Sequence, residues 1–226
     1  NLKTLLDGGD LDIPTRTTAI ETILAVGTPA ELRDYGLDRR HFTVSGRHQP
    51  DLHAQALASL LAVSRDRELR PEGDLAAQLQ KLLAHPLPEL RATALRLAGS
   101  WKVTELGQQI MADATAADLP VPVRQAAFEA LAEMQLPGTL ELLTAAAAPS
   151  ESTSLRSAAI QSLARLDMPA AARQAAILFK HSTLEKQDSI ATLQALLGQK
   201  GGTEVFIPAL QAASLSPPEA RKLLEA

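Results

Sequence analysis

Three stretches of the chain carry the same pattern of apolar and polar positions: LRATALRLAG from Leu90, VRQAAFEALA from Val123 and LRSAAIQSLA from Leu155. In each, an aliphatic residue precedes an arginine, an alanine follows three positions on, and a large apolar residue comes next. The three sets are Arg91, Ala94 and Leu95; Arg124, Ala127 and Phe128; Arg156, Ala159 and Ile160. Residues at i, i+3, i+4 and i+7 share one face of a helix, so the pattern predicts one amphipathic helix repeated in register. Weaker copies extend it. Arg16, Ala19, Ile20 and Ile23 fit upstream, as do His53, Ala56, Leu57 and Leu60, and Lys186 with Ile190 and Leu193 fits downstream. The anchors at 16, 53, 91, 124, 156 and 186 stand 30 to 38 residues apart, the length of a helix–turn–helix unit.

Between the anchors, second helices are expected over Asp74–Ala84, Val103–Thr115, Pro137–Ala147, Pro169–Lys180 and Gly202–Ala213. Pro88, Pro122, Pro137 and Pro169 fall near the expected helix starts, where the missing amide hydrogen costs nothing. A short helix is expected from Pro29 to about Tyr35. Residues 36–52 break the period and are expected as an irregular inter-repeat loop, and residues 1–14 as the tail of a preceding segment.

Composition narrows the class. Hydrophobic residues make up 46% and aromatics only 3%, with alanine and leucine dominating. Both are strong helix formers, and alanine lets helices approach closely. Strand formers occur only in short runs such as Phe42-Thr43-Val44 and Val205-Phe206-Ile207, so the chain is expected to be all-α. The formal net charge is −4, and no segment carries a marked basic excess, which argues against nucleic acid as the main partner. The absence of cysteine removes disulfides, thiol nucleophiles, cysteine-ligated zinc and covalent c-type haem within these residues. No apolar run reaches the length of a membrane span, and no signal peptide is visible. The first residue is Asn1, and the expectation is a fragment or processed product of a longer protein.

The Arg-x-x-Ala-apolar helix followed by a second amphipathic helix resembles the HEAT repeat, most strongly over Pro88–Lys180. The resemblance implies a right-handed α-α superhelix of about six helical hairpins in a single solenoid domain, its first helices convex and its second helices lining a concave surface. It also implies that Arg91, Arg124 and Arg156 are structural, bonding to an acidic or backbone acceptor of a neighbouring repeat. The acidic partner usual at the preceding turn is matched only by Asp118 and Glu151. Armadillo-like stacking is the runner-up. The closing stretch resembles the end of the HEAT array in large secreted planctomycete and verrucomicrobial dehydrogenase–cytochrome c proteins. That likeness rests on the Leu-Gly-x-Lys-Gly-Gly turn at 197–202 and the Ser-Pro-Pro-Glu-Ala run at 216–220. It implies a spacer outside the cytoplasm, periplasmic or secreted; without it, the cytoplasm is the default. Leu215, Leu223 and Leu224 form an apolar stripe expected to pack on a following domain or a second copy.

Candidate chemistry concentrates in the segment that departs from the repeat. Residues 36–53 hold Arg39, Arg40, Arg47, His41, His48 and His53. Arg39, Arg40, Arg47 and His48 are the candidate contacts to an anion or a partner, weighed against a polar solvated loop. His48 and His53 lack the i, i+4 spacing of helical metal ligands, and Pro50 separates them, so no metal site is expected. His85, before Pro86, belongs to a turn, and His181 ends a helix, where an imidazole meets the helix dipole favourably. Trp101 is the one tryptophan, read as packing at an inter-helix turn rather than as a binding hot spot. No histidine is followed by glutamate, as helical di-iron hydroxylases need, and Gly-x-Ser-x-Gly, a Gly-rich phosphate loop and His-Glu-x-x-His are all missing.

No catalytic residue, cofactor or metal is therefore expected. The leading expectation is a non-catalytic scaffold or protein-interaction module whose partner is protein, a spacer within a larger multidomain protein that the closing-stretch resemblance implies is a redox protein. The alternative is a stand-alone lyase or hydrolase using the concave face. A cleft with clustered, perturbed ionisable groups would favour the enzyme, and its absence the scaffold.

Overall fold

The computed structural model describes residues 2–8, 11–181 and 184–214. Leu215, Leu223, Leu224 and the run at 216–220 lie outside the described residues, so the apolar stripe expected there is not placed. The chain divides into two compact units, Asn1–Gln108 and Gln109–Ala226.

In the first unit the chain forms α1 (Leu2–Gly8), α2 (Ile13–Val26) and α3 (Pro29–Leu37), then a short insertion, then α4 (Pro50–Asp66), α5 (Leu75–Leu83) and α6 (Pro88–Ser100). The starts are written locally. Asp12 Oδ1 accepts from the Thr15 amide at 2.9 Å, and Asp74 Oδ1 from the Ala77 amide at 3.0 Å, each satisfying an orphan donor of the first turn. Thr28 and Glu31 form a reciprocal capping box ahead of Pro29. α2 packs on α4, α4 on α6, and α5 on α6. The buried faces carry Ile20, Leu24, Leu57, Leu60, Leu79, Leu90 and Leu95. These include the i, i+3 and i+4 positions of the sequence pattern.

The second unit holds most of α7 (Gly107–Thr115), with α8 (Val121–Met134), α9 (Thr139–Ala146), α10 (Thr153–Leu163), α11 (Met168–His181), α12 (Lys186–Leu197) and α13 (Gly202–Ala213). α10 is its hub, packing on α8, α9, α11 and α12. Alanines 126, 127, 130, 159, 171, 172, 175 and 176 are buried where helices meet, so close backbone approach replaces aromatic bulk. A polar contact also crosses this core: Ser157 Oγ and Thr192 Oγ1 stand 2.7 Å apart. Apart from two two-residue strands in the insertion, the described elements are helical, built as helical hairpins of an all-α fold, and α13 covers the same residues the pattern predicted.

The recurrent arginines share a mode of burial. Arg124 Nε donates to the Ala114 carbonyl at 3.0 Å and Arg156 Nε to the Ala147 carbonyl at 3.1 Å. Each guanidinium thus meets a carbonyl at the carboxyl end of the preceding helix, where unpaired carbonyls gather. Arg16 Nη1 does the same for Leu6 and also donates to the His41 carbonyl. Arg91 is half-buried at the same position of α6. Glu151 precedes Arg156 in sequence but pairs with Arg124, the arginine of the repeat before.

Candidate functional site

The span 36–52 contains local order rather than a featureless connection. After α3, Asp38 caps a one-turn 3-10 helix, Arg39–Phe42, accepting from the Arg40 amide at 2.9 Å. Strands β1 (Thr43–Val44) and β2 (Arg47–His48) then pair antiparallel, with Thr43 opposite His48 and Val44 opposite Arg47. Ser45 and Gly46 make the turn with φ of 50° and 75°, the positive values that a two-residue hairpin of this twist requires. The hairpin returns the chain toward the start of α4, placing His48 beside His53.

His53 occupies the position that arginine holds in the other repeats. It is 2% exposed, and its ring stacks on Phe42 with centroids 4.1 Å apart and planes 11° off parallel. His48 Nε2 and His53 Nδ1 stand 3.1 Å apart, so one ring donates and the other accepts. The His85 ring lies 5.6 Å from that of His48. The Leu87 amide donates to His85 Nδ1 at 3.2 Å, which leaves Nε2 to carry the proton of a neutral imidazole.

These three histidines line a cleft of about 520 Å³, together with Arg33, Asp34, Asp38, Arg39, Gln78 and Lys81. All three imidazoles titrate below their ordinary range, burial being the largest cause. For His48 and His85, the Arg39 charge adds to burial. His53 is pushed down to about 3 by burial, then by His48, His85 and Arg39. At neutral pH the cluster is thus uncharged. Asp34 accepts from Arg33 Nε at 2.7 Å and Asp38 from Arg40 Nε at 2.8 Å, so both carboxylates are held by arginines. Arg39 and Lys81 form no ion pair among the described residues. His53 Nε2 and Gln78 Oε1 are buried without a protein partner. Among the described residues no group of three or more histidines and carboxylates is placed to hold a metal ion.

Of the four residues expected to contact an anion or a partner, the structure brings Arg39 and His48 into the cleft. Arg40 turns to Asp38 and is largely exposed, and Arg47 is exposed on the hairpin. Arg33, Gln78, Lys81 and His85 were not expected there. His53 was, but as a repeat position. The one sequence signal for the cluster is the crowding of histidines around 41–53. Trp101, 4% exposed, packs at the carboxyl end of α6.

Helical hairpins with an arginine seated on the preceding helix end define an α-helical repeat protein. Residues 75–164 match the family described as HEAT repeats, a stretch of under half the chain. No curated protein and no solved structure matches. No described helix is long and apolar enough to cross a membrane.

Proposed function

We propose that the chain is a non-catalytic helical-repeat scaffold and protein-interaction module, a spacer within a larger protein, and that it meets its partner at the cleft of the first unit. HEAT repeats generally act as scaffolds or interaction modules, and the match over 75–164 carries that general role to this chain. The observation that carries the choice of surface is the pair Arg39 and Lys81. Two cations without ion partners share a cleft with two buried polar atoms that have none. Partner groups of opposite charge and complementary hydrogen bonding satisfy both sets. Arg40, paired with Asp38, and Arg47, exposed on the hairpin, do not line the cleft.

The redox-spacer version rests on the turn at 197–202 and the Ser-Pro-Pro-Glu-Ala run at 216–220. An immunoblot of the native source with a parallel haem stain tests it. A haem-staining band well above 24.0 kDa is expected, and a haem-free band near that mass overturns the spacer.

A second reading, a hydrolase or lyase, has the cluster of lowered imidazoles in its favour, since perturbed groups in a cleft are the mark of an active site. Against it, among the described residues no serine, threonine or cysteine lines the cleft, and both carboxylates are engaged by arginines. Incubation with ester and phosphoester panels is expected to give no turnover. Turnover abolished by His53→Gln would establish the enzyme instead.

A further inference from the structure

Among the described residues the three imidazoles carry no counter-ion of their own. Asp34 and Asp38 are the carboxylates lining the cleft, and Arg33 and Arg40 engage them. The other charges facing the cluster are Arg39 at the start of the 3-10 turn and Lys81 on α5, both positive. Phe42 closes the far side of His53. Proton uptake by any ring is thus opposed by burial and by neighbouring positive charge, and nothing inside the cleft relieves it. The rings are also close enough to act together: His48 touches His53 edge-on at 5.3 Å between centroids and His85 at 5.6 Å. Finally, two buried polar atoms, His53 Nε2 and Gln78 Oε1, have no partner. An unmet buried group is costly, a cost that a ligand bringing a donor and an acceptor removes.

An anionic oxygen group entering this cleft cancels the opposition at its source. It offsets Arg39 and Lys81 and gives the histidines the counter-ion they lack. Binding and protonation then favour each other, as linkage requires. A volume of about 520 Å³ is too large for a bare ion and suits a side chain with flanking backbone, whose amide can serve Gln78.

We propose that the cleft bounded by Arg39, Lys81, His48, His53 and His85 binds a carboxylate side chain of an acidic peptide, and that the histidine cluster takes up a proton as the carboxylate enters. The proposal rests on the interaction-module reading and names the chemistry of its partner. No bond is made or broken beyond proton transfer from solvent to imidazole.

The test is fluorescence anisotropy of a rhodamine-labelled hexaglutamate peptide on the full chain, at pH 7.5 and 5.5 and constant ionic strength. Binding is expected to tighten at least tenfold at the lower pH. Lys81→Ala, on the exposed side of α5, is expected to weaken binding at both pH values. His85→Gln is expected to cut the pH response several-fold, while His181→Gln, a histidine outside the cleft, leaves it intact and controls for net charge. Circular dichroism confirms that each variant is folded. Binding that is independent of pH, or a pH response equal in the His85 and His181 variants, overturns the proton step and leaves the module standing. No peptide binding at either pH, or binding indifferent to Lys81, overturns the carboxylate assignment. Inorganic phosphate displacing the peptide at equal concentration shows that a bare anion suffices, and overturns the peptide.

Discussion

Arg124 grips both carboxylate oxygens of Glu151, Nη1 to Oε2 at 3.1 Å and Nη2 to Oε1 at 2.7 Å, while its Nε holds the Ala114 carbonyl. One side chain therefore ties α8 to the end of α7 behind it and to the turn before α10 ahead of it. Arg124 is almost fully buried and Glu151 about a quarter exposed, so the pair sits between the weak surface class and the costly buried one. Arg124→Ala is expected to destabilise by about 2–4 kcal/mol and Glu151→Gln by about 1 kcal/mol. A double-mutant cycle from urea unfolding should give a coupling of at least about 1 kcal/mol. Additive effects would show that the pair carries nothing between repeats.

Gly36 marks a close approach inside the first unit. A Cβ built there would lie 2.8 Å from Leu60 Cδ2 and 3.2 Å from Leu24 Cδ2, and both leucines are fully buried. In a helix interior, alanine ordinarily gains up to about 1 kcal/mol over glycine. Here overpacking outweighs the gain, and Gly36→Ala is expected to destabilise by about 1–2 kcal/mol. Leu60→Val in the same background should recover part of the loss in thermal unfolding. A stabilised single variant would show that α3 and α4 separate at little cost.

Much of the fold was legible in the sequence because one feature recurs: arginine, alanine three on, a large apolar residue one further. That spacing located α6, α8 and α10, and prolines marked several starts. The cleft was less legible. Arg39, Arg40 and Arg47 look alike in sequence, but the 3-10 turn aims Arg40 at Asp38 and the hairpin carries Arg47 outward. Arg33, Gln78 and Lys81 come from helices distant in sequence and carry no motif. His53 both fills a repeat position and stands in the histidine-crowded segment, so its context points to packing and to the cluster alike. The hairpin itself rests on Ser45-Gly46, a pair too short to announce two strands of two residues each.

Trp101 offers a probe of the first unit. It is 4% exposed and its indole N–H has no partner. Its emission is expected to be blue-shifted and resistant to iodide in the native protein, shifting red on unfolding. Trp101→Phe removes an unmet donor along with some volume and should cost under about 2 kcal/mol, whereas Trp101→Ala, which leaves a cavity, should cost about 3–5 kcal/mol. An iodide-quenchable indole would contradict the packing.

Stability should fall with acid, and His53 sets much of the slope. Unfolded, its imidazole takes a proton near pH 6.5; folded, it resists until about pH 3. Between those values the unfolded chain binds more protons than the folded one, so the unfolding free energy rises with pH across that window and is lost as pH falls. One such group contributes a slope of about 1.4 kcal/mol per pH unit, or several kcal/mol over the range. His48, His85 and the buried His41 are lowered as well and act in the same direction. Urea midpoints measured from pH 7 to 4 should therefore decline steadily in the wild type. His53→Gln removes the largest shift while keeping a polar group beside His48, so its decline should be shallower by nearly one proton. An unchanged slope would mean that His53 is protonated, and solvated, well above pH 3.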